Sequence, residues 1–323
     1  MDFRKHLRRA QKQNRRTSRL KNSETYFVRH TTKCSVEHET REQMWEDHRI
    51  FIHFPWDKSG NRRADSKSKN PDDYVGFRKG AIKAMKDLAK QGGYVAARFE
   101  GHHEWLVGRV PKGSKIELRK GKYRPEELTR QNLKHHNGVV VLKTLLLSDW
   151  RRIAPDKCVL LQTVQPRNGT IMRWHKAGDF VKALVLQQKP KISFDLMSHG
   201  QQEILCAEFL RSSLAKRFDL PQLDCVLCDV GRCMEDLDIF GIATDGKTIF
   251  AQDTHDSLGE VAEKLTALRK YKTRANGHFV FFCEHEKQET LNGVKIVPIQ
   301  RVFKSFIATK SGKRWLNGIF PKA

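Results

Sequence analysis

Between Glu235 and Asp256 the chain places oxygen-bearing side chains where a divalent cation could be held. Asp236 and Asp238 are two residues apart, a spacing that turns both carboxylates to one face of an extended strand. Segments 236–243 and 248–252 read as adjacent strands joined by a tight turn at Asp245-Gly246. Gln252 and Thr254 share a face of the second strand and its continuation. A carboxylate on one strand beside polar groups on the next is an arrangement that holds a hard cation against a phosphate oxygen. Glu203, on a helix expected over 201–217, would add a third oxygen ligand, and Glu208 on the same helix is its rival. The plain alternative is that these acids are solvated strand-edge and helix-surface charges.

The cysteines suggest a different metal and then withdraw it. Cys225-x-x-Cys228 is followed by Cys233, with Cys283 and His285 further on, and these could be read as zinc ligands. A second matching pair is missing, however, and 223–230 reads as a buried strand in which free Cys is a common small core residue. Seven cysteines, an odd number scattered in apolar stretches, point to reduced thiols rather than a disulfide framework.

Positioning such a site requires a framework. Residues 1–24 form a basic arm, with Arg4, Arg8 and Arg15 as candidate phosphate contacts. Residues 25–190 mix strands with one clear helix. Strands are expected at 49–54, 94–99, 105–110, 139–146, 158–163 and 180–184, and a helix at 74–90, capped by Asp72 or Asp73 and stopped at Gly92-Gly93. The polar, basic stretch 111–138 reads as a long surface loop. Gln187-Gln-Lys-Pro190 is the best boundary. In 191–323 helices alternate with strands at 223–230, 236–243, 248–252, 278–283 and 294–299. A helix at 258–270 and two short ones from Arg301 complete an α/β domain with a mixed sheet.

A net charge of +24 over 323 residues, with a pI near 9.9, implies a polyanionic partner. Nucleic acid is preferred to anionic membrane. No apolar run approaches the length of a spanning helix and no signal-peptide core follows Met1, so a cytoplasmic protein is expected. Lys270, in a cationic cluster with Arg269, Lys272 and Arg274, is a further phosphate contact or a complement to its helix dipole.

The order of acid-bearing helix, Asp-bearing strand, hairpin, strand with a polar pair, and helix resembles the PD-(D/E)XK nuclease superfamily, including its Mrr-like restriction branch. The resemblance covers about residues 195 to 320 as a pattern, with no long motif matched. It implies a restriction-endonuclease-like domain that binds Mg²⁺ (or Mn²⁺) through Glu203 and Asp238, with Gln252 as the Mrr-like Gln. Where the family carries its catalytic Lys, this chain has Thr254. Lys264 on the next helix could reach back, as could Lys247, with His255 and Asp256 as polar neighbours. Failing these, the site would bind without cutting.

The segment Ile50-Phe-Ile-His-Phe-Pro-Trp56, with Gly92-Gly-Tyr-Val95 and Glu104-Trp-Leu-Val-Gly-Arg-Val110, resembles EVE-like domains of the PUA superfamily, over about residues 26 to 187. That implies a small β-barrel reading modified bases, with Trp56, Trp105 and Tyr94 as stacking walls and Ser59 as a hydrogen-bonding group. Most Trp residues are core, so the structural reading of each competes. The two resemblances together imply a modification-dependent DNA endonuclease of defence type, dimeric if it cuts both strands. A non-catalytic reader of modified nucleic acid and an RNA-binding or RNA-processing protein remain the alternatives.

Overall fold

The computed structural model describes residues 24–31, 35–54, 67–127, 138–227, 237–257, 262–272 and 276–320, with backbone alone at 255–257. Two compact units divide the chain. One holds the residues up to Cys158 and Gln165–Lys191; the other holds Val159–Val164 and the chain from Ile192 on.

In the first unit the elements run β1 (Thr25–His30), α1 (His38–Glu46), β2 (Arg49–Ile52), α2 (Gly76–Gln91), β3 (Gly93–Phe99), β4 (Trp105–Val110), β5 (Glu117–Lys122), β6 (Val139–Leu146) and β7 (Ser148–Ile153). After α3 (Val159–Val164), which belongs to the second unit, come β8 (Ile171–Arg173) and α4 (Gly178–Val185). Strands β7-β4-β3-β1-β8 form one sheet, with β1 and β3 parallel, and β2-β6-β5 form a second, antiparallel sheet. The expected barrel is not closed by hydrogen bonds among the described residues. The chain passes from one sheet to the other at Leu147, between β6 and β7, and side chains fill the space between them. Phe51 and Leu142 from the smaller sheet meet Val28, Val95 and Phe99 from the larger in one core.

Helix α2 starts at Gly76 rather than at Tyr74. The Asp72 and Asp73 expected as caps lie instead in a short 3-10 turn capped by Asn70, and Gly76 then takes a left-handed φ of 57°. Its stop is as read: Gly92 has φ 74°, and a Cβ there would lie 2.8 Å from the Lys112 amide nitrogen. The runs 158–163 and 180–184 are helical in α3 and α4, because runs of five or six residues are too short for a period to separate helix from strand. The stretch read as a loop contains β5, an edge strand whose Arg119, Lys120 and Lys122 protect its open side.

The second unit continues with α5 (His199–Arg211), α6 (Leu214–Arg217), β9 (Leu223–Val226), β10 (Ile239–Ala243), β11 (Thr248–Ser257), α7 (Ala262–Lys272), β12 (Gly277–Glu284), β13 (Glu289–Leu291), β14 (Val294–Pro298), α8 (Ile299–Ala308) and α9 (Lys310–Ile319). Its sheet has the order β13-β14-β12-β11-β10-β9. Strands β9, β10 and β11 form an antiparallel meander, and β12 and β14 continue parallel to β11. Leu237, Phe250, Leu265, Leu268 and Phe281 pack between α7 and this sheet.

Gly241 sits where β10 crosses β9 closely: a Cβ there would fall 2.4 Å from the Cys225 carbonyl oxygen. That contact is backbone and cannot yield cheaply. Gly241→Ala should therefore destabilise the second unit by about 1–3 kcal/mol, seen as a lower urea midpoint. An unchanged midpoint would contradict this register.

Candidate metal centre

Three carboxylates converge in the second unit. One oxygen from each of Glu203, Asp238 and Asp253 lies within 4.8 Å of the others. Among the described residues this is the group with metal-ligand geometry. Glu203 comes from α5, Asp238 from the residue before β10, and Asp253 from β11. Asp253 is buried, while Glu203 and Asp238 are half-buried, which leaves the cluster an open side.

Each residue is placed by local structure. Helix α5 begins with a reciprocal cap: the Gln201 amide donates to Ser198 Oγ at 3.2 Å, and the Ser198 amide donates to Gln201 Oε1 at 3.0 Å. Gln202 Nε2 donates to the carbonyls of Phe194 and Met197, tying down the turn that leads into Glu203. Asp238 extends the β10–β11 ladder, its amide donating to the Ala251 carbonyl at 3.1 Å. Its carboxylate then accepts the Asp253 amide at 2.8 Å. The β11–β12 register runs evenly to Asp253–Phe282 and then shifts before Ser257–Glu284. Such a bulge re-aims side chains, and bulges are frequent beside functional sites.

Sequence reading found two of the three acids. Glu203 and Asp238 are brought together as expected, and Glu208 is not part of the cluster. Asp253 was missed because strict alternation made Gln252 and Thr254 the inward pair. Residues Gln252, Asp253 and Thr254 are in fact all buried, because both α5 and α7 pack against β11. Gln252 is not one of the clustered ligands. Its buried Oε1 accepts no hydrogen bond among the described residues. Lys264, on α7, donates to Thr254 Oγ1 at 3.2 Å, so the helix delivers an ammonium to the position where the strand has Thr. Lys247 stands instead at the Asp245 turn, its amide donating to that carboxylate. Asp236 and the side chains of His255 and Asp256 lie outside the described residues.

The other expectations fare differently. Trp105 is 1% exposed and packs between Phe27 and Trp174, and Tyr94 is 6% exposed. Both rings are core, and neither offers a face for stacking. Trp56 and Ser59, and Arg4, Arg8 and Arg15 in the arm, lie outside the described residues. Lys270 is exposed in the last turn of α7, away from Lys264 along the helix. Cys158, Cys206, Cys225 and Cys283 are free thiols, and Cys283 is buried in the core, so the zinc alternative gains no ligand cluster among the described residues.

Charge defines what the cluster can do. Burial first, and then Asp238 and Glu203, push the Asp253 carboxyl up from its ordinary 3.8 to about 8, with Lys264 opposing. Three ionised carboxylates and one ammonium leave two negative charges, which a divalent cation would balance. Every donor is a carboxylate oxygen, the set preferred by hard cations. The residues present therefore fit a divalent metal ion.

The sign of the pH effect follows directly. Between 3.8 and about 8 the folded protein holds a proton on Asp253 that the unfolded chain releases. This stabilisation is complete below the unfolded value and is lost as pH rises through the folded one. In EDTA, Asp253→Asn should increasingly exceed the parent in Tm over about pH 5 to about pH 9, because Asn has no proton to lose. A Tm difference that stays constant with pH would refute the buried-acid assignment. In comparisons with family models, curated proteins and solved structures nothing matches this chain, so the reading of the site rests on its own geometry.

Proposed function

We propose that the second unit is a metal-dependent phosphodiesterase acting on nucleic acid, resembling the PD-(D/E)XK nucleases in plan. The observation that carries this reading is the convergence of Glu203, Asp238 and Asp253 from a helix and two strands, with Lys264 held at Thr254 beside them. The order of α5, the β9–β10–β11 meander, α7 and the parallel β12 supports it. Relative to the expected pattern, the second strand acid is Asp253 rather than Gln252, and the lysine comes from the following helix.

Glu203, Asp238 and Asp253 would hold Mg²⁺ or Mn²⁺. The bound ion would polarise a phosphate oxygen and lower the pKa of the attacking water. The protein's own contribution is position and charge. The 2.8 Å bond from the Asp253 amide fixes the Asp238 carboxylate across the strand pair, so two ligands are set before anything binds. Asp253 would have to give up its proton to hold the cation, so metal affinity would rise with pH. Lys264 places a fixed positive charge where negative charge develops on the phosphate oxygens in the transition state.

The substrate in this reading is DNA, with a modified base as the recognised feature and host defence as the setting. RNA is distinguished by experiment. The base-reading role of the first unit now rests on Trp56 and Ser59 alone.

Incubating the protein with modified DNA, unmodified DNA and RNA, in Mg²⁺, Mn²⁺ or EDTA, tests the proposal. Cleavage should require the metal and should vanish in Asp238→Ala. Lys264→Met should slow cleavage about a hundred- to a thousand-fold while leaving the Mn²⁺-induced rise in Tm nearly intact. Metal-dependent binding without cleavage would instead favour the non-catalytic reader, and undiminished cutting by Asp238→Ala would remove the site altogether.

A further inference from the structure

Helix α2 of the first unit carries a second feature, separate from the metal centre. Its apolar residues Ala81, Ile82, Met85, Leu88 and Ala89 are buried in the unit's own core. The opposite side presents Lys79, Lys83, Lys86 and Lys90, all exposed. At about 100° per residue these four side chains fall within about 60° of one another around the helix, in a row about 16 Å long. Like charges three and four residues apart destabilise a helix. The nearby acids do little to relieve this, since Asp72 pairs with Lys79 and Asp87 with Arg173. Among the described residues, Lys83, Lys86 and Lys90 make no ion pair.

Two further observations concern the same face. Gly80 flanks the stripe in the second turn, where glycine weakens a helix relative to alanine. Nothing lies within 4 Å of where its Cβ would be, and its φ is not left-handed, so neither packing nor backbone conformation asks for glycine. A bare backbone on an exposed helix face permits the close approach of another molecule. At the C-terminal end of the stripe, Lys86 and Lys90 also line an open cleft of about 490 Å³ with Lys69, Asn70, Ser114 and Gly113. Three lysines and the neutral polar groups line it beside the apolar Ala89 and Ile116, Lys69 donating to the Ile116 carbonyl, and no carboxylate does.

The geometry points to α2 and its adjoining cleft as a track for a phosphodiester backbone, contacting nucleic acid through Lys83, Lys86, Lys90 and Lys69. A row about 16 Å long spans about five phosphates of one strand at about 3.4 Å of axis each. Nucleic acid fits better than a membrane surface, because the apolar face of α2 is already buried in the protein and the lysine stripe has none of its own to insert. Contacts of this kind fix register and affinity without reading sequence. The track goes beyond the phosphodiesterase reading and needs no metal.

Binding of the full chain to a short duplex DNA, followed by fluorescence anisotropy in EDTA across a salt series, separates the two. Neutralising three phosphate contacts in Lys83→Gln/Lys86→Gln/Lys90→Gln should reduce the slope of log K against log salt by about 2.7. The parent should then lose about 40-fold more affinity than the variant between about 50 mM and about 200 mM salt. The charge-matched variant Lys304→Gln/Lys310→Gln/Lys313→Gln, on exposed residues of α8 and α9, should shift the slope far less. Equal slopes for the parent and the α2 variant, or equal losses in the two variants, overturn the track. So does lysine-dependent binding to anionic phosphatidylserine vesicles in the absence of DNA binding. Because no cleavage occurs in EDTA, a failed metal centre leaves this result intact, and a failed track leaves the metal centre intact.

Discussion

Three carboxylates held within 4.8 Å of one another, one of them buried, cannot all be ionised at modest cost without a compensating charge. That repulsion is the constraint around which the second unit is organised. A loose helix or a slipped strand would let the acids swing apart into water. Here the reciprocal cap on α5, the hydrogen bond from the Asp253 amide to the Asp238 carboxylate and the burial of Leu265 and Leu268 of α7 oppose that escape. The structure thus stores an electrostatic demand, met in part by a proton on Asp253 and in part by Lys264.

Much of this arrangement was legible in the sequence. The Asp245-Gly246 turn marked the β10–β11 hairpin, and the spacing of acids on the strand 236–243 and on the preceding helix picked out two of the three acids that cluster. The third acid was not legible, because Asp253 lies between Gln252 and Thr254 in strict alternation, and it is buried only because α5 as well as α7 packs against β11. Lys264 was visible only as a lysine one helix further on; that it meets Thr254 depends on how α7 packs back on the sheet. In the first unit the difficulty was of another kind. The runs in α3 and α4 are too short for periodicity to separate helix from strand, and the charged edge strand β5 has the composition of a loop. Trp105 and Tyr94 were correctly placed on strands, but sequence position does not tell which side of a strand faces a core.

The two units use charge in opposite ways. The second concentrates acids in a recess and leaves cations on its exposed helices, whereas the first displays unpaired lysines on a helix whose other side is fully committed to packing. A net charge of +24 is therefore not spread evenly as a solubility device; part of it is ordered along α2. Ordered like charge weakens the element that carries it, so its persistence on a helix anchored by five buried apolar residues is consistent with the core bearing the cost of the surface.

The donor character of the cluster is also shaped by a residue outside it. Cys206 lies one turn beyond Glu203 on α5 and is buried. Burial first, and then the charges of Asp253, Asp238 and Glu203, push its thiol well above the ordinary value. A thiol must lose its proton to bind a metal, and here the acids that would share the ligand shell oppose that loss. This soft donor near the cluster is thereby kept neutral, and the three clustered donors among the described residues are carboxylate oxygens. Such a set suits hard cations, and Cys206 adds no soft donor to it while it stays protonated.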